Sequence, residues 1–151
     1  MSMAGVDMLH VPFRGGGPAL IDLLAGHVQV LFDTLATSIA HVRAGELRAL
    51  AVTSATRSDQ LPDIPAVAEV IAGYEATGWQ GIGAPLKTPP TIVDRLNKEV
   101  NAALGDPQFR DRITGLGAIP LPGSPAEFGK FVVEFTEKWT KVIRAANIKA
   151  E

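Results

Sequence analysis

The chain has 151 residues, 46% of them hydrophobic and 20% charged, with a net charge of −2. This composition is typical of a globular protein and lacks the basic surface that nucleic acid requires, so no nucleic-acid partner is predicted. The absence of cysteine excludes disulfides, thiolate metal sites and a cysteine nucleophile. We expect no membrane span, because no apolar run is long enough, and no signal peptide at the N-terminus.

Residues 8–33 predict a strand, a glycine turn, a helix and a second strand. Residues 8–13 are apolar and β-prone, Pro18 suits the first position of a helix, and residues 28–32 are typical of a second strand. Two parallel strands joined by a helix put the turn at the carboxyl edge of the sheet. Open α/β sheets bind their ligands at that edge.

The turn consists of Gly15, Gly16 and Gly17. We expect unpaired N–H groups on Gly16, Gly17 and Ala19 at the positive end of the helix dipole, where a carboxylate or a phosphate would bind. A tight turn without a ligand explains three glycines equally well, and the residues leave both readings open. Since neither a Walker A sequence nor a dinucleotide fingerprint follows, phosphate is not favoured over carboxylate.

A second β-α-β unit follows the first, which predicts a parallel sheet with helices on its faces. Residues 34–44 predict a helix that ends at Gly45, and residues 47–53 predict a buried strand. A short helix is expected at residues 66–71. Residues 74–85 are glycine-rich but too apolar for a flexible linker, and they predict an extended crossover.

The remainder of the chain is predicted to be helical. One helix begins near Pro90 and a short one near Pro107, and residues 125–146 form the clearest helix, with a capping box of Ser124 and Glu127. Each helix has an apolar face that needs a sheet or a partner, and the sequence supplies neither. The predicted fold therefore looks cut at both ends.

Six segments carry a resemblance to a known family. The sequence is similar to the tripartite tricarboxylate transporter substrate-binding proteins, also called Bug or TctC-like solute receptors, and specifically to their C-terminal half. The resemblance runs over essentially the whole chain. The segments are HVPFRGGGPALIDLLAGHVQVLFD, AHVRAGELRALAVTS, LPDIPAVAEV, GYEATGWQGIGAP, DRLNKEVNAAL and AEFGKFVVEFTEKWTKVIRAANIKAE.

The resemblance implies an α/β fold that is part of a periplasmic-binding-protein, or flytrap, architecture. Residues 1–77 would be part of the second lobe, a parallel β-α-β lobe with the glycine loop. Residues 78–151 would form the hinge crossover and the C-terminal helices of the first lobe. The same resemblance implies a periplasmic location, a di- or tricarboxylate or similar ligand, the membrane components of a tripartite transporter as partners, and no cofactor.

The resemblance also implies where the ligand binds. Family members hold a carboxylate between two loops, partly through ordered waters, and one of these loops matches residues 13–19. Asp33 would accept hydrogen bonds from an amine or hydroxyl of the ligand, or alternatively act as the N-cap of the next helix. Arg14 either pairs with an anion or lies in solvent. The implied ligand-binding residues are Phe13, Arg14, Gly15, Gly16, Gly17, Ala19, Asp33 and Thr34.

Three functions are weighed on this basis. A solute receptor without catalytic activity is the leading interpretation, whereas an enzyme acting on a phosphorylated substrate would lack a visible general base. A self-assembling fragment is the third, because each large side chain of the apolar stripe in residues 125–146 stabilises by about 1.5–3 kcal/mol when buried. The C-terminal helices could bury this stripe by folding back onto the chain's own small sheet or by packing against a second copy, and we expect the second, a homodimer formed by the C-terminal helices. No metal site is predicted, since His10, His27 and His41 lack metal-ligand spacing.

Overall fold

The computed structural model describes residues 3–148. The parts of the predictions that concern residues 1, 2 and 149–151 lie outside the described residues. None of the helices in the described part has the length and apolarity to cross a membrane. The described elements are the helices α1 (Gly16–Leu24), α2 (Leu35–Arg43), α3 (Pro90–Gly105), α4 (Pro107–Gly115) and α5 (Pro125–Ala145), and a 3₁₀ turn at Val67–Glu69.

Local signals at the helix ends place α5 as the sequence predicts. The Ser124 hydroxyl accepts a hydrogen bond from the Glu127 N–H at 3.2 Å, and the Glu127 carboxylate accepts one from the Ser124 N–H at 2.8 Å. Four helices end in a Schellman motif, in which two N–H groups beyond the helix bond back to its carbonyls. The residue with positive φ in these motifs is Gly26, Gly45, Gly117 or Asn147.

Two of the predicted helix boundaries are wrong. Helix α1 begins at Gly16, so Pro18 occupies its third position and not its first. Proline is tolerated there because N–H groups of the first turn have no partner inside the helix. The short helix expected at residues 66–71 is only the 3₁₀ turn Val67–Glu69.

The three predicted strands do not pair into a sheet within residues 3–148. The one bridge in this range joins Val52 and Ala66 in parallel, through a Val52 N–H to Pro65 carbonyl bond and a Val67 N–H to Val52 carbonyl bond, both 2.9 Å. A strand requires a hydrogen-bonded neighbour, and an apolar sequence cannot show whether that neighbour is present. Leu9 is accordingly 92% exposed.

The chain divides into two compact units, which we describe separately. Unit one comprises residues 3–80 and 111–119 of the described chain. Its core is small, with Ala19, Ile39 and Ala66 buried. Gly117 closes the end of α4 with a φ of +79°, and a Cβ at this position would overlap the side chain of Leu35 at the start of α2.

Unit two comprises residues 81–110 and 120–148. Helices α3 and α5 contact each other, and Asn101 fixes the segment before α5 by donating to the Gly123 carbonyl and accepting from its N–H, at 3.0 and 3.1 Å. Four aromatic rings follow one another along α5, with successive ring centroids 5.7–6.4 Å apart. They belong to Phe128, Phe131, Phe135 and Trp139.

Candidate ligand-binding site

The start of α1 presents free backbone donors. Gly15 is the N-cap with φ 103°, a conformation that favours glycine, and no side chain caps the helix. The N–H groups of Gly16 and Gly17 precede the first possible intrahelical bond, and Pro18 has none to offer. A Cβ on Gly17 would meet nothing within 4 Å, so the approach to these amides is open.

Ala19 lies one position beyond these free donors. In regular helical geometry the fourth N–H of a helix bonds to the carbonyl of the N-cap residue, here Gly15. Ala19 is also 4% exposed and packs in the small core of unit one. The donors available to a ligand are therefore on the glycines.

Asp33 stands beside α2 and is held in place by two hydroxyl groups. The N-cap of α2 is Thr34, so the alternative interpretation of Asp33 as the N-cap is wrong. Asp33 Oδ2 accepts hydrogen bonds from Thr37 Oγ1 at 2.6 Å and from Ser38 Oγ at 2.5 Å. These bonds from the first turns of α2 fix the carboxylate and leave Oδ1 for other contacts.

Asp33 Oδ1 borders the N-terminus of α1. A Cβ built on Gly16 would lie 3.3 Å from Asp33 Oδ1, which places the carboxylate directly beside the glycine amides. The two groups share an open cleft of about 500 Å³ in unit one. Its lining residues are Gly16, Gly17, Phe32, Asp33, Thr34, Thr37, Thr53, Ala76 and Gly78.

The structure brings four of the predicted binding residues together at this cleft: Gly16, Gly17, Asp33 and Thr34. The other four do not line it. Among these, Phe13 is half-buried and Arg14 is exposed and makes no ion pair within residues 3–148. The remaining two are Gly15 and Ala19.

Sequence reasoning missed several lining residues. Thr53 ends the predicted strand 47–53, so the rule that open α/β sheets bind ligands at the carboxyl ends of their strands would have found Thr53. Ala76 carries no such signal, because it reaches the cleft through a tertiary bond from its N–H to the Thr53 carbonyl at 2.9 Å. Thr37 lies in the first turn of α2 and so follows locally from Asp33 and Thr34, whereas no local signal points to Gly78.

The cleft combines positive and negative recognition elements. The amides of Gly16 and Gly17 carry the positive partial charge of the helix N-terminus and suit a carboxylate. Asp33 is the one titratable side chain among the lining residues and, when ionised, accepts hydrogen bonds only. Such an arrangement can hold an acid that also carries a hydrogen-bond donor. Within the described residues, no group of three His, Asp or Glu side chains could hold a metal ion.

The sequence matches the family model of the tripartite tricarboxylate transporter family receptor over residues 1–148. A Pseudomonas sp. strain P51 protein in the tcbD-tcbE intergenic region is 39% identical, with 93% of this chain and 42% of that protein aligned. A Pseudomonas knackmussii protein in the clcB-clcD intergenic region is 33% identical, with 94% and 85% aligned. The chain thus spans less than half of the first of these relatives and most of the second.

Solved structures give the same result. R. palustris Rpa4515 with adipate has a TM-score of 0.92 at 39% identity, and the alignment covers 97% of this chain and 49% of the Rpa4515 chain. The periplasmic binding protein BugD has a TM-score of 0.90 at 33% identity, covering 99% and 51%. MatC (Rpa3494) from Rhodopseudomonas palustris with bound malate has a TM-score of 0.85 at 33% identity, covering 94% and 50%.

These matches define the class: the fold is part of a periplasmic binding protein, which confirms the predicted α/β flytrap architecture. The chain belongs to the TctC family, the receptors of tripartite tricarboxylate transporters, which are solute-binding proteins. The resemblance inferred from the sequence is thereby confirmed. The comparison also confirms that the chain corresponds to about half of a full receptor, since about half of each matched structure lies outside the alignment.

Proposed function

We propose that this chain is the part of an organic-acid receptor that supplies one side of the ligand cleft. The observation that carries the proposal is the placement of the free amides of Gly16 and Gly17 beside the carboxylate of Asp33 in one open cleft. The amides bind a carboxylate of the ligand. Two relatives of the same fold whose structures contain adipate or malate support this ligand class.

Asp33 narrows the ligand class further. Its negative charge opposes a bare carboxylate at the glycine amides, because like charges about 5 Å apart repel by roughly 0.8–3 kcal/mol for effective dielectric constants between 80 and 20. A hydroxyl or ammonium group on the ligand reverses this penalty, since a hydrogen bond to a charged group contributes about 1.5–3 kcal/mol. The preferred ligand is therefore a hydroxy or amino dicarboxylate.

The remaining elements of the proposal follow from family membership. The chain is periplasmic, it binds without turnover, and it delivers its ligand to the membrane components of a tripartite transporter. Residues 1–77 would be the ligand-facing lobe, and residues 78–151 the crossover and the C-terminal helices. Two amide bonds to a carboxylate at about 1.5–3 kcal/mol each sum to about 3–6 kcal/mol, which corresponds to a dissociation constant between roughly 6 mM and 40 μM, so this chain alone binds weakly.

The test is an NMR titration of the chain with malate, followed by the spectrum of malate after prolonged incubation. We expect saturable binding and unchanged malate. Gly16→Ala should weaken binding about tenfold, because its methyl group would lie 3.3 Å from Asp33 Oδ1, between the two groups that hold the ligand. Gly129→Ala, in α5 with nothing within 4 Å, is the matched control and should leave binding unchanged. Consumption of malate, or no binding of any dicarboxylate at millimolar concentration, would refute the proposal.

A further inference from the structure

Within the described chain, the hydrogen bonds to the Asp33 carboxylate converge on one of its two oxygens. Thr37 Oγ1 and Ser38 Oγ both donate to Oδ2, at 2.6 and 2.5 Å. Such short distances are typical of hydroxyl groups that donate to an ionised carboxylate. The carboxylate is therefore held from the side of α2, while Oδ1 lies 3.3 Å from the Cβ position of Gly16.

The two donors differ in the other acceptors that they can reach. A serine or threonine in a helix can also donate to the backbone carbonyl three or four residues earlier. For Thr37 this carbonyl, that of Thr34, lies 2.8 Å away, almost as close as the carboxylate. For Ser38 the same carbonyl lies 3.4 Å away, so its bond to Asp33 is much the shorter. Ser38 is the donor that is committed to the carboxylate.

A third hydroxyl group supports the bond from Thr37. Thr34 Oγ1 lies 2.9 Å from Thr37 Oγ1, and the geometry allows either atom to donate. Each hydroxyl has a single proton, and an ionised carboxylate is a stronger acceptor than a hydroxyl oxygen. The Thr37 proton therefore goes to Asp33, and Thr34 donates to Thr37.

Ser38 itself lies behind the ligand cleft. It is half-buried and does not line the cleft, so it can act on a ligand only through Asp33. The next residue, Ile39, is 3% exposed and packs in the core of unit one. The Ser38 hydroxyl is thus attached to a part of α2 that the core holds in place.

We propose that Ser38, supported by Thr37, is the positioning residue that makes the cleft prefer a ligand with a hydrogen-bond donor, an inference that rests on the proposed function. The bonds to Oδ2 hold Asp33 in one rotamer, with Oδ1 beside the glycine amides. An ionised carboxylate has no proton to donate, so Oδ1 accepts from a hydroxyl or ammonium group and repels a bare carboxylate. Without the Ser38 hydroxyl, Asp33 turns more freely and this discrimination weakens.

The ratio of malate affinity to succinate affinity, measured by NMR titration, tests the proposal, because succinate lacks the malate hydroxyl. Ser38→Ala should lower this ratio about threefold, a partial loss, since Thr37 still donates to Asp33 and the carboxylate keeps its charge. Ser38→Thr retains a hydroxyl and should restore the ratio. Thr37→Val should lower it less than Ser38→Ala does, because the Thr37 proton already has a second acceptor nearby.

Ser58→Ala is the matched control. It removes a hydroxyl group of unit one that accepts from the Gln60 N–H and lies outside the cleft lining. The ratio of malate to succinate affinity should be the same in this variant as in the unmodified chain. Backbone chemical shifts verify that α2 remains helical in every variant.

A second measurement needs no ligand. The three-bond couplings between the Hα and Hβ protons of Asp33 report its χ1 rotamer. We expect the couplings of a single rotamer in the unmodified chain and in Ser38→Thr, and averaged couplings in Ser38→Ala.

Three results would overturn the positioning role: an unchanged ratio in Ser38→Ala, a ratio that Ser38→Thr does not restore, or averaged Asp33 couplings in the unmodified chain. In each of these cases saturable binding of malate still supports the proposed function, so the two proposals can fail separately. If the unmodified chain binds neither acid, both are refuted.

Discussion

Replacing Asp33 by asparagine separates the contribution of the Asp33 carboxylate to ligand binding from that of the glycine amides. The change removes the negative charge at Oδ1, which lies 3.3 Å from the Cβ position of Gly16. The asparagine carbonyl can still accept the hydrogen bonds from Thr37 and Ser38 that hold the aspartate, so the side chain keeps its place. Asp33→Asn is therefore a change of charge with little change of shape.

Its effect should depend on whether the ligand has a donor. Succinate is malate without the hydroxyl group, so it experiences only the repulsion, of roughly 0.8–3 kcal/mol. Asp33→Asn should tighten succinate binding by at least about fourfold. Malate loses a hydrogen bond to a charged acceptor while its carboxylate escapes the same repulsion. The ratio of malate to succinate affinity should therefore fall by about tenfold.

The assay is a pair of NMR titrations for each protein, one with malate and one with succinate. Asp22→Asn is the matched control, because it removes the same charge from unit one at a residue outside the cleft lining. It should leave the malate to succinate ratio unchanged. Equal changes for both ligands in Asp33→Asn would refute the reasoning, since they would show that Asp33 does not distinguish the hydroxyl group.

Two further predictions concern the folding of unit one. The Arg57 guanidinium, with the Ala66 N–H, lowers the pKa of Glu69 from 4.5 to about 2, so its stabilising contribution is complete above pH 4.5 and is lost as the pH falls toward 2. The free energy of unfolding, measured with urea, should therefore fall more between pH 5 and pH 3 for the unmodified chain than for Glu69→Gln. An equal fall for both proteins would contradict this role of Glu69. Gly117→Ala should cost about 1–3 kcal/mol in thermal unfolding, because its methyl group overlaps Leu35 at a positive φ. Gly115→Ala, with nothing within 4 Å, should be neutral or stabilising, and a similar cost for both variants would contradict the explanation.

The sequence predicts the elements whose signals are local. Helix α5 is placed by a capping box and a helical apolar period, all within residues 124–145, and the structure confirms it. The start of α1 is misjudged because three successive glycines impose no boundary and Pro18 fits any position of a first turn. Local rules therefore do not fix the beginning of α1.

Non-local structure is predicted less well. The strands of residues 8–13 and 28–32 have the right composition, but strand pairing depends on neighbours that a local pattern does not identify. For the cleft, the family resemblance leads to Asp33, whereas Ala76 reaches the cleft through a hydrogen bond to Thr53, a residue distant in the sequence. The family resemblance predicts the fold where these local patterns do not, because it rests on the order of all the segments along the chain.

A crystal structure of the chain grown with malate tests the central claim most directly. We predict a malate carboxylate at about 2.7–3.1 Å from the backbone nitrogens of Gly16 and Gly17, with the malate hydroxyl directed to Asp33. Malate bound elsewhere while this cleft stays unoccupied, or glycine amides covered by protein, would contradict the assignment of the cleft as the ligand site.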